Sequence, residues 1–209
     1  MTPRSMFFLF LLVVSPFAQA ATVLVMGDSL SAGYGLRADE AWPAHLQRKL
    51  DAMPGEHKVI NASISGETTA GGRSRLPQAL KAHRPDVVVI ELGANDGLRG
   101  LPLTEMQANL EAMIDQSRAA GARIVLVGMQ LPPNYGPSYA DKFRSVFKTV
   151  ADTRKTAFAP FLLAGFADRR EWFQQDGLHP TADAQPTILA NVWTALEPLI
   201  QRKAAVSVR

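Results

Sequence analysis

Val87-Val88-Val89-Ile90-Glu91-Leu92 decides the architecture. The run is apolar apart from Glu91 and does not alternate with polar residues. Such a run belongs to a strand covered on both faces, as in a parallel sheet between two layers of helices. The flanking sequence agrees. Upstream, Val23-Leu24-Val25-Met26 and Lys58-Val59-Ile60-Asn61-Ala62 read as two earlier strands. Downstream, Ile124-Val125-Leu126-Val127 reads as a fourth, and residues 156–161 as a weaker fifth. Helical spacing fills the gaps between them. Trp42, Leu46 and Leu50 recur at i, i+4, i+8 and predict a helix over residues 41–52. Leu76 and Leu80 mark a helix that ends before Pro85. Met106, Leu110, Met113 and Ile114 mark another, with Thr104 and Gln107 as a capping box in which Thr104 is the N-cap, and Gly121 as its C-terminal stop. Phe143, Val146, Phe147 and Val150 give the next helix. Ile188, Val192, Leu196 and Leu199 give the last. Strand-helix alternation predicts an α/β fold: a three-layer α/β/α sandwich of about five parallel strands with helices on both faces. No repeat or change of composition divides the chain, so residues 21–201 form one domain, with 202–209 a frayed tail.

Composition narrows the function classes. The chain has 209 residues, 47% hydrophobic and 20% charged, enough to bury a substantial core. A net charge of +3 with scattered basic residues argues against a nucleic-acid partner. Four dispersed histidines and no cysteine give no metal-ligand spacing and no disulfide. The N-terminus is a targeting segment. Arg4 precedes an apolar run over residues 6–14, Pro16 breaks it, and Ala18-Gln19-Ala20 is a small-x-small cleavage site. The run is well short of the roughly 20 residues that a spanning helix needs. Residues 1–20 therefore read as a signal peptide cut after Ala20, which implies a periplasmic or secreted protein with no membrane span after cleavage. Asn61-Ala62-Ser63 matches a glycosylation tripeptide, but its asparagine ends a strand and is discounted.

In an open α/β sheet the ligand crevice lies beyond the carboxyl ends of the strands. The segments at that rim carry Gly27-Asp28-Ser29-Leu30, Ser63-Ile64-Ser65-Gly66, Gly93-Ala94-Asn95-Asp96-Gly97 and Asp176-Gly177-Leu178-His179-Pro180. Each block alone fits a turn. Together they supply the parts of a serine hydrolase: Ser29 as nucleophile, His179 as base, and Asp176 to orient the imidazole. The Ser29 N–H, the Gly66 N–H and the Asn95 amide form an oxyanion hole. Asp28 braces the serine turn rather than serving as the triad acid.

These four blocks resemble the SGNH hydrolases, also called the GDSL esterase/lipase family. Ala41-Trp42-Pro43 and Leu131-Pro132-Pro133-Asn134-Tyr135-Gly136 extend the likeness toward its secreted bacterial thioesterase, arylesterase and lysophospholipase branch. The resemblance implies a flavodoxin-like sandwich, no cofactor, and activity on aryl and short-chain esters, acyl thioesters and lysophospholipids. It is loose over residues 151–171. Leu98, Leu131, Pro132, Tyr135 and Leu178 are candidates for an apolar acyl groove. Gly97-Leu98-Arg99-Gly100 reads as a mobile lid or as a rigid turn. The expected partner is a small acyl ester, thioester or lysophospholipid bound by a monomer. Two rivals stand beside this reading: an esterase for acetylated sugars, and a non-catalytic lipid- or glycan-binding domain.

Overall fold

The computed structural model describes residues 20–206, with side chains as far as Gln201. The expected leader lies on residues outside that range, apart from Ala20. Ala20 is exposed. Ala21 is buried, and its N–H donates to His57 Nδ1 at 3.1 Å.

Five parallel strands form one sheet: β1 (Thr22–Gly27), β2 (Lys58–Asn61), β3 (Val87–Glu91), β4 (Arg123–Val127) and β5 (Ala157–Ala159). Their order is β2-β1-β3-β4-β5. The chain steps from β1 to β2 on one side, then crosses back to lay β3 on the other side of β1. The order thus reverses between β1 and β3, and the crevice at such a switch point is where α/β sheets bind ligands. All of β3 is buried, Glu91 included, as its unbroken apolar run requires.

The long helices are α2 (Trp42–Asp51), α3 (Thr69–His83), α5 (Leu103–Ala119), α6 (Pro137–Arg154) and α7 (Gln185–Val206). One layer packs α3 against α5 and α5 against α6, and the other packs α2 against α7. The stripes read from the sequence are the buried ones: Trp42, Leu46 and Leu50 on α2, Met106, Leu110, Met113 and Ile114 on α5, Phe143, Val146, Phe147 and Val150 on α6. On α7 the buried row is Ile188, Val192, Leu196 and Ile200. Leu199 packs at its edge, because three steps of four residues from Ile188 select Ile200 instead. The α7 backbone stays helical past Gln201 to Val206. Two short helices, α1 (Ser29–Ala32) and α4 (Ala94–Leu98), stand where the sequence suggested loops.

Thr104 is not the N-cap of α5. The helix starts at Leu103 after Pro102, with no side-chain cap, and Thr104 is exposed within its first turn. Proline there enters the helix without an N–H to satisfy, so no capping hydroxyl is needed. Gln107 Nε2 reaches forward to Glu111 Oε1 at 2.9 Å instead of back to a cap. Gly121 does sit beyond the helix end, with φ +85°. Asn61 is exposed, and its Nδ2 donates to the Ser31 carbonyl at 2.8 Å. Among the described residues no helix is long and apolar enough to cross a membrane.

Candidate active site

The serine turn is built from below. β1 ends at Gly27, where a Cβ would stand 2.6 Å from Ser31 Cβ and 2.7 Å from Glu91 Oε2, so a side chain there forces its neighbours apart. The chain turns at once into α1. Asp28 caps it, Oδ1 accepting the Leu30 N–H at 3.0 Å. Asp28 Oδ2 accepts from Asn95 Nδ2 at 3.1 Å, which ties the β1 block to the β3 block. Beneath them Glu91 Oε2 accepts the Ser31 hydroxyl at 2.6 Å and the Asp28 N–H at 3.4 Å. Ser31 Oγ in turn accepts from the Trp42 indole at 3.1 Å. Burial pushes the Glu91 carboxyl well above its ordinary value, and the neighbouring Asp28 charge adds to the shift. Burial also raises Asp28, to about 6, against the Leu30 N–H, the charge of His179 and the Asn95 amide, which pull it down.

The opposing loop is built from local bonds. Asp176 Oδ1 accepts the N–H groups of Leu178 at 2.9 Å and His179 at 3.0 Å, closing a tight turn. Asp176 Oδ2 lies 2.7 Å from His179 Nδ1, and His179 Nε2 lies 2.8 Å from Ser29 Oγ. Partial burial pushes the Asp176 carboxyl up. The His179 N–H, the imidazole and the Leu178 N–H outweigh that and hold it at about 2. With the Nδ1 proton directed at this carboxylate, Nε2 is left to accept the Ser29 proton. The loop is braced from outside. Arg170 donates to the carbonyls of Phe173, Gln174 and Gln175 at 2.9, 2.7 and 2.8 Å. The Gln174 N–H donates to the His179 carbonyl at 2.8 Å. The Tyr34 ring lies against the imidazole, tilted by 36° with centroids 4.4 Å apart.

The three candidate oxyanion donors stand on separate segments. Ser29 is the first residue of α1, so its N–H has no acceptor inside the helix. Gly66 is exposed at φ +78°, a backbone conformation that favours glycine, and its N–H takes no partner among the described residues. Asn95 spends one amide hydrogen on Asp28 and has a second to give.

A cavity of about 560 Å³ opens beside Ser29, Asn95 and His179. Leu98, Leu131, Pro132 and Leu178 line it, as the sequence suggested. Tyr135 does not. Its hydroxyl donates to the Leu98 carbonyl at 3.0 Å, so it supports the wall from behind. The wall also contains Met129, Phe161, Leu163 and Phe173, which sequence reasoning missed. Phe161 was within reach, since it lies just past the carboxyl end of β5. Arg170, the brace of the His179 loop, carried no readable signal. The 97–100 segment is not an open lid. Gly97 is helical, and a Cβ there would come within 2.5 Å of Phe143 Cε2, so this glycine serves close packing. Tyr139 also donates to the Gly97 carbonyl, at 3.2 Å.

The model of the GDSL-like Lipase/Acylhydrolase family matches residues 25–185, which include every residue of this site. The chain belongs to that family. It is an acyl hydrolase, and its relatives within the family are near. It is 48% identical to the esterase TesA of Pseudomonas aeruginosa over 91% of this chain and 94% of that one. It is 41% identical to the thioesterase 1/protease 1/lysophospholipase L1 of Escherichia coli K12 over 92% of each. Its fold matches a crystal structure of TesA with a TM-score of 0.83 at 49% identity, covering 85% of this chain and 99% of that one.

Proposed function

We propose that this GDSL-family chain hydrolyses carboxylic esters and thioesters of apolar acyl groups through an acyl-enzyme on Ser29. Ser29 Oγ attacks the acyl carbonyl while His179 Nε2 takes its proton, and Asp176 stabilises the imidazolium. The Ser29 N–H, the Gly66 N–H and the Asn95 amide hold the oxyanion of the tetrahedral intermediate. That intermediate collapses, the C–O or C–S bond breaks, and the leaving group takes the proton from Nε2. Water then gives a proton to His179 and attacks the acyl-enzyme, releasing the acid and restoring Ser29. The observation that carries this reading is the unbroken row from Ser29 Oγ through His179 to Asp176, at 2.8 and 2.7 Å, beside the cavity.

The substrate class follows from the cavity wall. Leu98, Leu131, Phe161, Leu163 and Phe173 suit a hydrocarbon chain better than an acetylated sugar. The relatives' names, esterase and thioesterase/lysophospholipase, favour aryl esters, acyl thioesters and lysophospholipids as the substrates tried first. We further propose export as a monomer after cleavage following Ala20. The exposure of Ala20 next to the buried Ala21 favours that boundary.

The test is hydrolysis of p-nitrophenyl esters of graded chain length by the mature protein and by Ser29→Ala. The expected result is a fall in kcat of several orders of magnitude in the variant. Equal rates would end the assignment, and a sharp preference for acetyl would move it to polar esters.

A further inference from the structure

Ser29, Asn95 and His179 line the cavity, but Gly66 and Arg99 do not. Both are exposed. On the reading above, the acyl chain fills the cavity and the leaving group projects out on the open side, over Gly66. Arg99 stands beside Gly66. Its Nη2 donates to the Gly66 carbonyl at 2.9 Å and lies 3.5 Å from where a Cβ of Gly66 would be. One hydrogen bond to a carbonyl leaves its charge and most of its five N–H donors unused. Nothing nearby neutralises it. Glu67, next to Gly66, is held in an ion pair by Arg75. Asp96, at the start of the same helical turn, is buried and accepts both the N–H and the hydroxyl of Thr69, at 2.9 and 2.5 Å. Among the described residues Arg99 has no carboxylate partner.

We infer that Arg99 is a specificity determinant that recognises an anionic leaving group, and that the anion it fits is the phosphate of an acylated glycerophosphate. The guanidinium fork matches phosphate oxygens. Distance selects among phosphates. In a 1-acyl glycerophosphate the phosphate lies a few bonds from the ester oxygen, within reach of a cation beside the oxyanion loop. In an acyl-CoA the phosphates lie at the far end of the pantetheine arm, beyond it. This inference rests on the proposed serine mechanism, and a neutral ester measured in parallel tests that mechanism separately.

The experiment compares two substrate pairs of equal chain length, below their aggregation concentrations: lysophosphatidic acid with monoacylglycerol, and acyl-CoA with acyl-pantetheine. Wild type, Arg99→Gln and Arg99→Lys are measured on all four. The expected result is that Arg99→Gln lowers the lysophosphatidic acid to monoacylglycerol ratio of kcat/KM by about fivefold, the size of a solvent-exposed charge pair. Arg99→Lys restores part of the ratio, and added salt erodes it in the wild type. The acyl-CoA to acyl-pantetheine ratio stays level. Equal losses on both members of the lysophosphatidic acid pair would make Arg99 a mere tie between loops and overturn the inference. An unchanged ratio in Arg99→Gln would overturn it too. A fall confined to the acyl-CoA pair would reassign the anion to CoA.

Discussion

The two halves of the site are held by different means. The serine half is fixed by burial and by contacts between distant parts of the chain. Glu91 of β3, Ser31 of α1 and Trp42 of α2 form a closed network under the nucleophile, and Gln185 at the start of α7 accepts the Trp42 N–H at 2.9 Å. The histidine half is a half-exposed turn fixed by its own near neighbours: Asp176 on the Leu178 and His179 N–H groups, and Arg170 on three successive carbonyls. Removing a partner from a buried network costs stability, because polar groups are left unsatisfied away from water. Removing one from an exposed turn costs geometry, because water replaces the lost bond. The supports of the two halves thus fail differently: those of the serine half through folding, those of the histidine half through geometry.

The largest expected effect is on the exposed side. Asp176→Asn keeps the shape of the turn but removes the charge that sets the imidazole, and kcat on a p-nitrophenyl ester should fall on the order of a thousandfold or more. A fall of less than tenfold would mean that Asp28, not Asp176, orients His179. On the buried side, Glu91→Ala should destabilise the fold by about 2–3 kcal/mol, read from urea unfolding, with a smaller effect on kcat. The same residue predicts a pH dependence. Its carboxyl is raised well above 4.5 in the folded chain, so the folded state binds the proton more tightly than the unfolded one. Its contribution is full below pH 4.5 and is lost as pH rises through the folded value. Wild-type melting temperature should therefore drop more than that of Glu91→Gln as pH is raised above 4.5. Parallel curves would show that Glu91 does not titrate there. Asp176 acts in the opposite sense: held at about 2, it contributes above pH 3.8 and loses that contribution as pH falls toward 2. The smallest effect is expected at the brace. Arg170→Ala should lower kcat by about tenfold while leaving stability within ~1 kcal/mol, since its guanidinium bonds only exposed carbonyls. A large loss of stability there would erase the contrast between the halves.

The same contrast explains what was readable in the sequence. The apolar runs of β1 and β3 gave the sheet, because strands buried on both faces leave no polar residues between apolar ones. Asp176 and His179 were readable because their contact is local. Ser29 was readable only beside them. The helices α1 and α4 escaped because four or five residues are too few to display a period. The cavity wall at Leu163 and Phe173 escaped because it comes from irregular chain brought to the site by tertiary packing. In the sequence Tyr135 reads as a wall residue because its loop reaches the rim. Spacing could not reveal that its hydroxyl turns back to Leu98.

The order β2-β1-β3-β4-β5 also governs when the enzyme becomes active. The strand synthesised first lies inside the sheet, flanked by two made later, and the serine that follows it must wait for a histidine near the other end of the chain. A polypeptide interrupted between residues 29 and 179 carries the proposed nucleophile without its proposed base. On the proposed roles of Ser29 and His179, every acyl chain the finished protein releases reports that translation ran almost to completion and that both ends of the chain met.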